Sequence, residues 1–246
     1  IKPDLVAPGT DILSTRSSKA PAQNFWAPYK GNNHYAYLGG TSMATPLVSG
    51  CAALVREYYA GLAHEPSAAL VKATLVNGTR WLTGEDALAD REEPPNNHQG
   101  FGRVSMLTTL PNPTEPRLKL AFIDCWKQPG LHLPHTNSTR CFTVAVKDGY
   151  PLRICLAYTD LPARELQHVI YLLVEGPDGR KWMGNGRRSA RGHPLRDDKN
   201  NVSVVRFDAP LAGHYRISVR AWTLLHGAQD YALVVTGDLE SELTRA

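Results

Sequence analysis

The sequence predicts an α/β portion over residues 1–110 followed by an all-β sandwich over residues 118–246. Two observations favour this division. Apolar residues recur at helical spacing in the first portion, whereas apolar and polar residues alternate in the second. Between them, residues 111–117 hold three prolines, which is typical of a stiff linker. At 246 residues and 42% hydrophobic content, the chain is long enough to bury a core in each portion.

The first forty residues contain little regular structure in this prediction. Residues 1–16 form an extended segment with turn chemistry at Pro8-Gly9. Residues 17–38 lack a clear period, and we expect an ordered surface loop there that packs its aromatic side chains, namely Trp26, Tyr35 and Tyr37.

Two helices follow. The first is predicted from Ser42 to about Tyr59, because apolar residues recur at intervals of three and four residues. These residues are Leu47, Val48, Cys51, Leu54, Val55 and Tyr58. Gly61 is expected to end the helix. The second begins after Pro66-Ser67 and ends near Asn77-Gly78. A polar loop is expected over residues 83–99.

Eight short strands with turn signals between them predict a sandwich of the jelly-roll kind in the second portion. The predicted strands span residues 118–126, 139–146, 152–159, 169–175, 180–183, 202–207, 215–221 and 231–236. Gly176-Pro177-Asp178-Gly179 supplies one hairpin turn.

Ser42 is the candidate catalytic residue. It stands at the start of the first helix, where unpaired backbone N–H groups and the positive end of the helix dipole would stabilise an oxyanion. Gly39 and Gly40 lack a Cβ atom and permit a close approach or a strained turn beside it. Pro46 is expected in or near the first helical turn, where its missing N–H costs nothing. The alternative is that Thr41 or Ser42 is only a helix cap.

The run Gly40-Thr41-Ser42-Met43-Ala44-Thr45-Pro46 resembles the motif around the nucleophilic serine of the subtilisin-like serine proteases. Residues 1–9 with 12–15 look like the strand and turn that precede this motif. Residues 97–104 are similar to the segment that closes the catalytic domain in the oxidatively stable alkaline subtilases, which carry a C-terminal jelly-roll domain. The resemblance implies that residues 1–110 are the C-terminal portion of a doubly wound domain. It also implies that Thr41 supports the oxyanion donor and that Leu38, Gly39 and Gly40 form the substrate-side loop.

The resemblance also implies catalytic partners that this sequence does not supply. A serine hydroxyl needs a histidine that is oriented by a carboxylate, and subtilases carry these in the order Asp, His, Ser. Asp4 and His34 precede Ser42 but do not stand in the family's motifs, and His64 and His98 are interpreted as loop histidines. We therefore expect a serine endopeptidase of polypeptide substrates whose Asp and His come from an N-terminal segment outside this chain. Two alternatives remain open: an inactive pseudoprotease whose β-domain serves binding or assembly, and an esterase with the same triad.

Composition limits the partners. The net charge of +4 is mild, and a basic loop with Arg187, Arg188, Arg191 and Arg196 has no aromatic residues interleaved, so we expect no nucleic-acid partner. No apolar run is long enough to span a membrane, and family analogy favours a secreted or extracytoplasmic protein.

The chemistry of the candidate nucleophile requires no cofactor. A structural calcium ion is conceivable at Asp197, Asp198, Asn200 and Asn201, or at the acidic residues of the 83–99 loop. The four cysteines fit no metal spacing; Cys125 and Cys141 lie in neighbouring predicted strands and could bridge, but four cysteines permit several pairings and permit none.

Overall fold

The computed structural model describes residues 1–21, 26–87, 95–126, 128–186 and 195–246. Its described regular structure consists of three antiparallel sheets, three α-helices and two short 3-10 helices at Glu85–Ala87 and Pro129–Leu131. The smallest sheet lies in the N-terminal portion and has the order β1-β3-β2, with strands at Ile12–Thr15, Ala27–Pro28 and Tyr35–Leu38.

The prediction of an ordered surface loop over residues 17–38 is wrong for residues 26–38, which contain the strands β2 and β3. The alternating segment from Tyr35 to Leu38 pairs with β1 over four residues on each strand. Only the partner strand, which is distant in sequence, makes this segment a strand, so local composition did not reveal it. Trp26 and Tyr35 are also more exposed than predicted, at 55% and 39%.

Two long helices follow this sheet. Helix α1 spans Thr41–Gly61 and helix α2 spans Ala68–Asn77. Helix α2 begins and ends where the sequence predicts: the Ser67 hydroxyl accepts a hydrogen bond from the Leu70 N–H, and Gly78 is the C-cap. A short helix, α3, covers Met106–Thr109.

The second portion contains two sheets. One has the order β4-β11-β6-β9, with strands at Lys119–Asp124, Ala232–Gly237, Leu152–Ala157 and Val202–Phe207. The other has the order β12-β5-β10-β7-β8, with strands at Thr244–Arg245, Thr139–Val146, Gly213–Leu224, His168–Glu175 and Lys181–Met183. Each of the eight predicted strands is present, with ends shifted by three residues or fewer, and β12 is additional.

Two cores lie on opposite faces of the β4-β11-β6-β9 sheet. Between the two sheets, inward side chains form the first core, which includes Phe142, Ile154, Leu172, Ile217 and Leu233. On the other face, α1 and α2 cover the sheet and form the second core with residues of both portions: Val55, Tyr59, Leu70, Val76, Cys155, Val204 and Val234. The helical portion and the β-portion therefore share buried surface, and the sheet is covered on both faces.

The parallel sheet of a doubly wound domain is absent from the described residues of the N-terminal portion. The only parallel pairing there is the isolated bridge between Val6 and Arg103. Parallel strands need long crossover connections, and residues 1–110 hold too few elements for them, as the sequence indicated. The domain boundaries at residues 110 and 118 stay a prediction.

All four cysteines are free thiols. Cys125 does not bridge to Cys141, because its sulfur faces the backbone of Tyr231, which donates to it over 2.7 Å. The bridge suggested by the predicted strands is therefore not formed.

Candidate active site

Gly40 sets the position of Ser42 by acting as the N-cap of α1. Its φ of 144° and ψ of 169° lie in a region that is open essentially to glycine alone. The Gly40 carbonyl accepts from the N–H of Met43 over 3.0 Å, while the Gly40 N–H donates to the carbonyl of Gly9 over 2.6 Å. The turn between β3 and α1 is thereby fixed to the N-terminal segment.

The glycines around this turn allow close packing. A Cβ atom on Gly9 would lie 2.8 Å from the carbonyl oxygen of Gly40. A Cβ atom on Gly39 would lie 1.9 Å from the ring of Trp26, so the indole occupies the space beside this glycine. The roles of Gly9 and Trp26 were missed by the sequence analysis, although Gly9 lies in the segment that resembles the family.

Ser42 is the second residue of α1 and is exposed. Because Gly40 is the N-cap and no side chain caps this helix, the interpretation of Thr41 or Ser42 as the capping residue is wrong. The N–H groups of Thr41 and Ser42 precede the first intrahelical hydrogen bonds and remain available as donors. No described residue forms a hydrogen bond with the Ser42 hydroxyl.

Pro46 lies deeper in the helix than the sequence indicated. It is the sixth residue of α1 and counts as a helix-interior proline, so its missing N–H deprives the Ser42 carbonyl of its usual donor. The hydroxyl of Thr45 donates to the Thr41 carbonyl over 2.9 Å, and the hydroxyl of Ser49 donates to the Thr45 carbonyl over 3.1 Å. The first two turns of α1 therefore contain an irregular hydrogen-bond pattern next to the candidate nucleophile.

The histidines of the described chain do not complete a triad around Ser42. His34 lies at the opposite end of β3, and its backbone carbonyl accepts from Arg16 over 2.6 Å. His64 follows the C-terminus of the 21-residue helix α1, which is about 30 Å long. His98 is exposed, and its N–H donates to the Asn96 side chain.

Two His–Asp pairs occur among the described residues, His132 with Asp230 in the β-portion and His64 with Asp124, and the second of these serves the packing of the helices. The His64 Nε2 atom lies 3.1 Å from Asp124 Oδ2, and the same oxygen accepts from the Ser67 N–H over 2.8 Å. The His64 ring also packs against Phe122. This pair joins the connection between α1 and α2 to strand β4.

Asp4, the acid nearest the N-terminus, is engaged by two lysines. Its carboxylate forms ion pairs with Lys2 and, at 2.9 Å, with Lys72 on α2. Burial opposes ionisation of this carboxyl, but the two ammonium groups hold the pKa of Asp4 below its ordinary value. Asp4 thus fixes the N-terminal segment to α2.

Three of the residues considered for calcium, Asp197, Asn200 and Asn201, accept hydrogen bonds from protein donors in the structure. Asp197 accepts from the side chain of Asn185 over 2.7 Å and from Asn200 over 2.7 Å, and the Asn201 side-chain oxygen accepts from Lys72 over 3.3 Å. No group of three or more metal-ligating side chains occurs among the described residues. In the acidic loop, residues 88–94 and the side chain of Asp86 lie outside the described part.

The basic loop was predicted to have no aromatic residues among its arginines, and the structure differs from this prediction at Arg196. Arg187, Arg188 and Arg191 lie outside the described residues, whereas Arg196 stacks on Trp222, with 3.5 Å between the guanidinium carbon and the ring centroid. Aromatic partners do accompany this arginine. The aromatic ring comes from strand β10, so a search for interleaved aromatics along the sequence did not detect it.

Comparisons with known proteins agree with the motif around Ser42. Residues 1–102 match the family model described as the subtilase family. The chain is 28% identical to the serine protease/ABC transporter B family protein tagA of Dictyostelium discoideum over 263 residues, covering 96% of this chain and 14% of the relative. It is 33% identical to serine protease AprX of Bacillus subtilis over 111 residues, covering 45% of this chain and 22% of the relative.

A solved serine protease of Aeromonas sobria is similar over 88% of this chain and 46% of its own, with a TM-score of 0.28 and 12% identity. The chain spans only a small part of the length of the curated relatives it matches, 14% of tagA and 22% of AprX. Within its described residues, no helix has both the length and the apolar character needed to cross a membrane.

Proposed function

We propose, from the match of residues 1–102 to the subtilase family model, that Ser42 is the nucleophile of a serine endopeptidase. The Asp and His of its triad would come from a segment outside this chain. One observation carries this proposal: Ser42 is exposed at the start of a helix, beside free N–H donors, and has no acid or base partner among the described residues.

The chemistry follows from this placement. The Ser42 Oγ atom attacks the carbonyl carbon of a peptide bond while its proton passes to the histidine of the added segment. The Ser42 N–H donates to the oxyanion that forms, and Thr41 supports this donor from the preceding position. The histidine then protonates the leaving amine, and water hydrolyses the acyl-enzyme. Leu38, Gly39 and Gly40 would line the approach of the substrate.

An uncovered apolar surface on α1 supports the need for a further segment. Leu47 and Leu54 on this helix are 41% and 49% exposed. A separate groove of about 800 Å³ lies between α1, α2 and the N-terminal segment, lined by Val6, Ala44 and Val48 among others but not by Leu47 or Leu54. A helix placed at the centre of a doubly wound domain would bury these side chains against its sheet. We infer that the segment that supplies the Asp and His also covers this surface.

The strand orders of the β-portion support a jelly roll. In an eight-stranded jelly roll, strands 1, 8, 3 and 6 form one sheet and strands 2, 7, 4 and 5 form the other. The order β4-β11-β6-β9 and the order β5-β10-β7-β8 agree with this pattern when β4 is counted as the first strand. We therefore propose that residues 118–246 are a jelly-roll domain attached to the catalytic part.

Three further features remain proposals by analogy with the family: a polypeptide substrate, a secreted or extracytoplasmic location, and a structural calcium ion. The second candidate function is a pseudoprotease whose β-domain serves binding or assembly. The lack of triad partners among the described residues favours it, whereas the intact motif from Gly40 to Pro46 favours the enzyme. An esterase would use the same nucleophile.

A fluorophosphonate probe tests the proposal on the purified protein that includes its upstream segment. We expect covalent label on Ser42, located by mass spectrometry of peptides. Label should be lost in S42A and retained in S49A, a matched control because Ser49 lies on the same helix and is also exposed. A folded protein with its upstream segment that takes no label would overturn the enzyme proposal and favour the pseudoprotease. Hydrolysis of ester but not peptide substrates by the labelled protein would favour the esterase.

A further inference from the structure

A second cavity lies at the junction of the helical portion and the β-portion, away from Ser42. It has a volume of about 860 Å³ and is bordered by the residues after α2, by the segment around Glu115 and by strands β6 and β9. Arg80, Arg153 and Arg206 line it together. This concentration of guanidinium groups has no role in the proposed protease chemistry.

The two inner arginines are held in place by neutral acceptors. Arg206 donates through one nitrogen, Nη2, to the carbonyl of Val76 over 3.2 Å, to the Thr79 hydroxyl over 2.6 Å and to the carbonyl of Phe101 over 3.2 Å. Arg153 donates to the Thr79 carbonyl over 3.1 Å. These bonds orient both side chains against the C-terminal end of α2, where partial negative charge is favourable for a cation.

The positive charge of these side chains is not balanced by an ion pair. No carboxylate of the described residues lies within ion-pair distance of Arg80, Arg153 or Arg206, and the buried Nε atom of Arg206 has no hydrogen-bond partner there. Burial, reinforced by the neighbouring Arg153, lowers the pKa of Arg206 to about 10. Burial likewise lowers the pKa of Arg153, and the charge of Arg80 adds to this effect.

Two carboxylates also line the cavity and reduce its charge without cancelling it. Glu115 forms an ion pair with Arg117 at 3.7 Å, so its charge is compensated outside the arginine group. Asp208 is exposed and acts on Arg153 and Arg206 only at longer range. Three cations therefore face one uncompensated carboxylate. Buried guanidinium groups are normally paired with an anion.

We propose that this cavity binds a small oxyanion, a carboxylate or a phosphate. Arg80, exposed at the rim, and Arg153, oriented from within, would donate to its oxygens, because a guanidinium fork matches the geometry of both groups. Trp81 and Tyr150 line the same cavity and would flank the remainder of an organic ligand. Because the site is built from both portions of the chain, a bound anion would stabilise their junction.

Binding is tested with inorganic phosphate and with succinate, each titrated into the purified protein by calorimetry at constant ionic strength set with chloride. We expect saturable binding of at least one of them, and the tighter ligand identifies the source of the oxyanion. Loss of a hydrogen bond to a charged group should weaken binding by at least about tenfold in R80Q and R153Q. D208N should bind more tightly, since among the described residues that line the cavity it removes the one uncompensated carboxylate.

R164Q is the matched control, because it removes the same charge from an exposed side chain that does not line the cavity. Its dissociation constant should stay within about twofold of that of the unaltered protein. Should R153Q fail to fold, the exposed R80Q variant still tests the site. Absence of saturable binding of both anions would overturn the proposal. Equal effects of R80Q and R164Q would also overturn it, because they would indicate a general effect of surface charge.

Discussion

Replacement of Gly40 by alanine tests whether the turn before Ser42 depends on backbone conformation. The φ of 144° and ψ of 169° lie where residues with a Cβ atom are strained. The nearest atom to an added Cβ would be the Ser42 nitrogen at 3.9 Å, so no steric collision contributes. The cost therefore comes from the backbone alone, and G40A should lose about 1–3 kcal/mol of unfolding free energy.

Gly130 supplies the control for this substitution. An added Cβ on Gly130 would meet no atom within 4 Å, and its φ lies outside the region that favours glycine. G130A should therefore gain about 0.4–1 kcal/mol, because alanine restricts the unfolded chain. The two variants thus carry the same chemical change with opposite expected signs.

Urea denaturation followed by circular dichroism measures both effects. The midpoint of G40A should fall and that of G130A should rise, with unchanged slopes. In the protein with its upstream segment, the rate of fluorophosphonate labelling at Ser42 should also fall about tenfold or more in G40A, because a small displacement of a nucleophile is costly. If G40A unfolds at the same urea concentration as G130A, the turn does not require glycine and the argument for Gly40 as the positioning residue is refuted.

Other substitutions give further tests. Because the pKa of Asp4 is lowered in the folded state, its ion pairs stabilise the protein at pH values above 3.8, the ordinary pKa of this group, and lose this contribution as the pH falls through the folded pKa. K72M should therefore reduce the dependence of the unfolding free energy on pH in this acidic range. An unchanged dependence would contradict the role of the pair. G78A should cost at least about 2 kcal/mol in urea denaturation, since its Cβ would lie 2.0 Å from the Thr109 hydroxyl and 2.5 Å from the Thr109 Cα; wild-type stability would refute it. H64Q should leave fluorophosphonate labelling of the nucleophile unchanged, whereas complete loss of label in a folded variant would make this histidine catalytic.

Local signals explain which parts of the fold could be predicted from sequence. The ends of α2 depend on Ser67 and Gly78, which act on neighbouring backbone groups, so both ends were predicted correctly. The strands of the sandwich follow from alternation along each segment. By contrast, β3 exists because β1 pairs with it, and a distant partner cannot be read from a single segment.

The packing of the helices on the β-portion was not predicted, although α2 contained a signal. Apolar or small residues surround this helix on nearly all sides, and seven of its ten residues are buried, which is typical of a helix covered by more than one neighbour. At the candidate site, the motif located Ser42 at the helix start. It did not reveal that Pro46 lies in the interior of the helix, since that depends on which residue begins α1.

The shared core beneath α2 bears on how the chain would respond to being cut. Residues 111–117 are the segment at which a protease would be expected to separate two independent domains. Here α2 is joined to the sheet by apolar packing and by buried polar bonds, such as the 2.9 Å bond from the Asn77 side chain to the Thr236 hydroxyl. Cleavage in that segment would break one covalent bond and leave the two fragments assembled. We therefore expect covalent continuity between the serine-bearing helix and the sandwich to be dispensable once folding is complete.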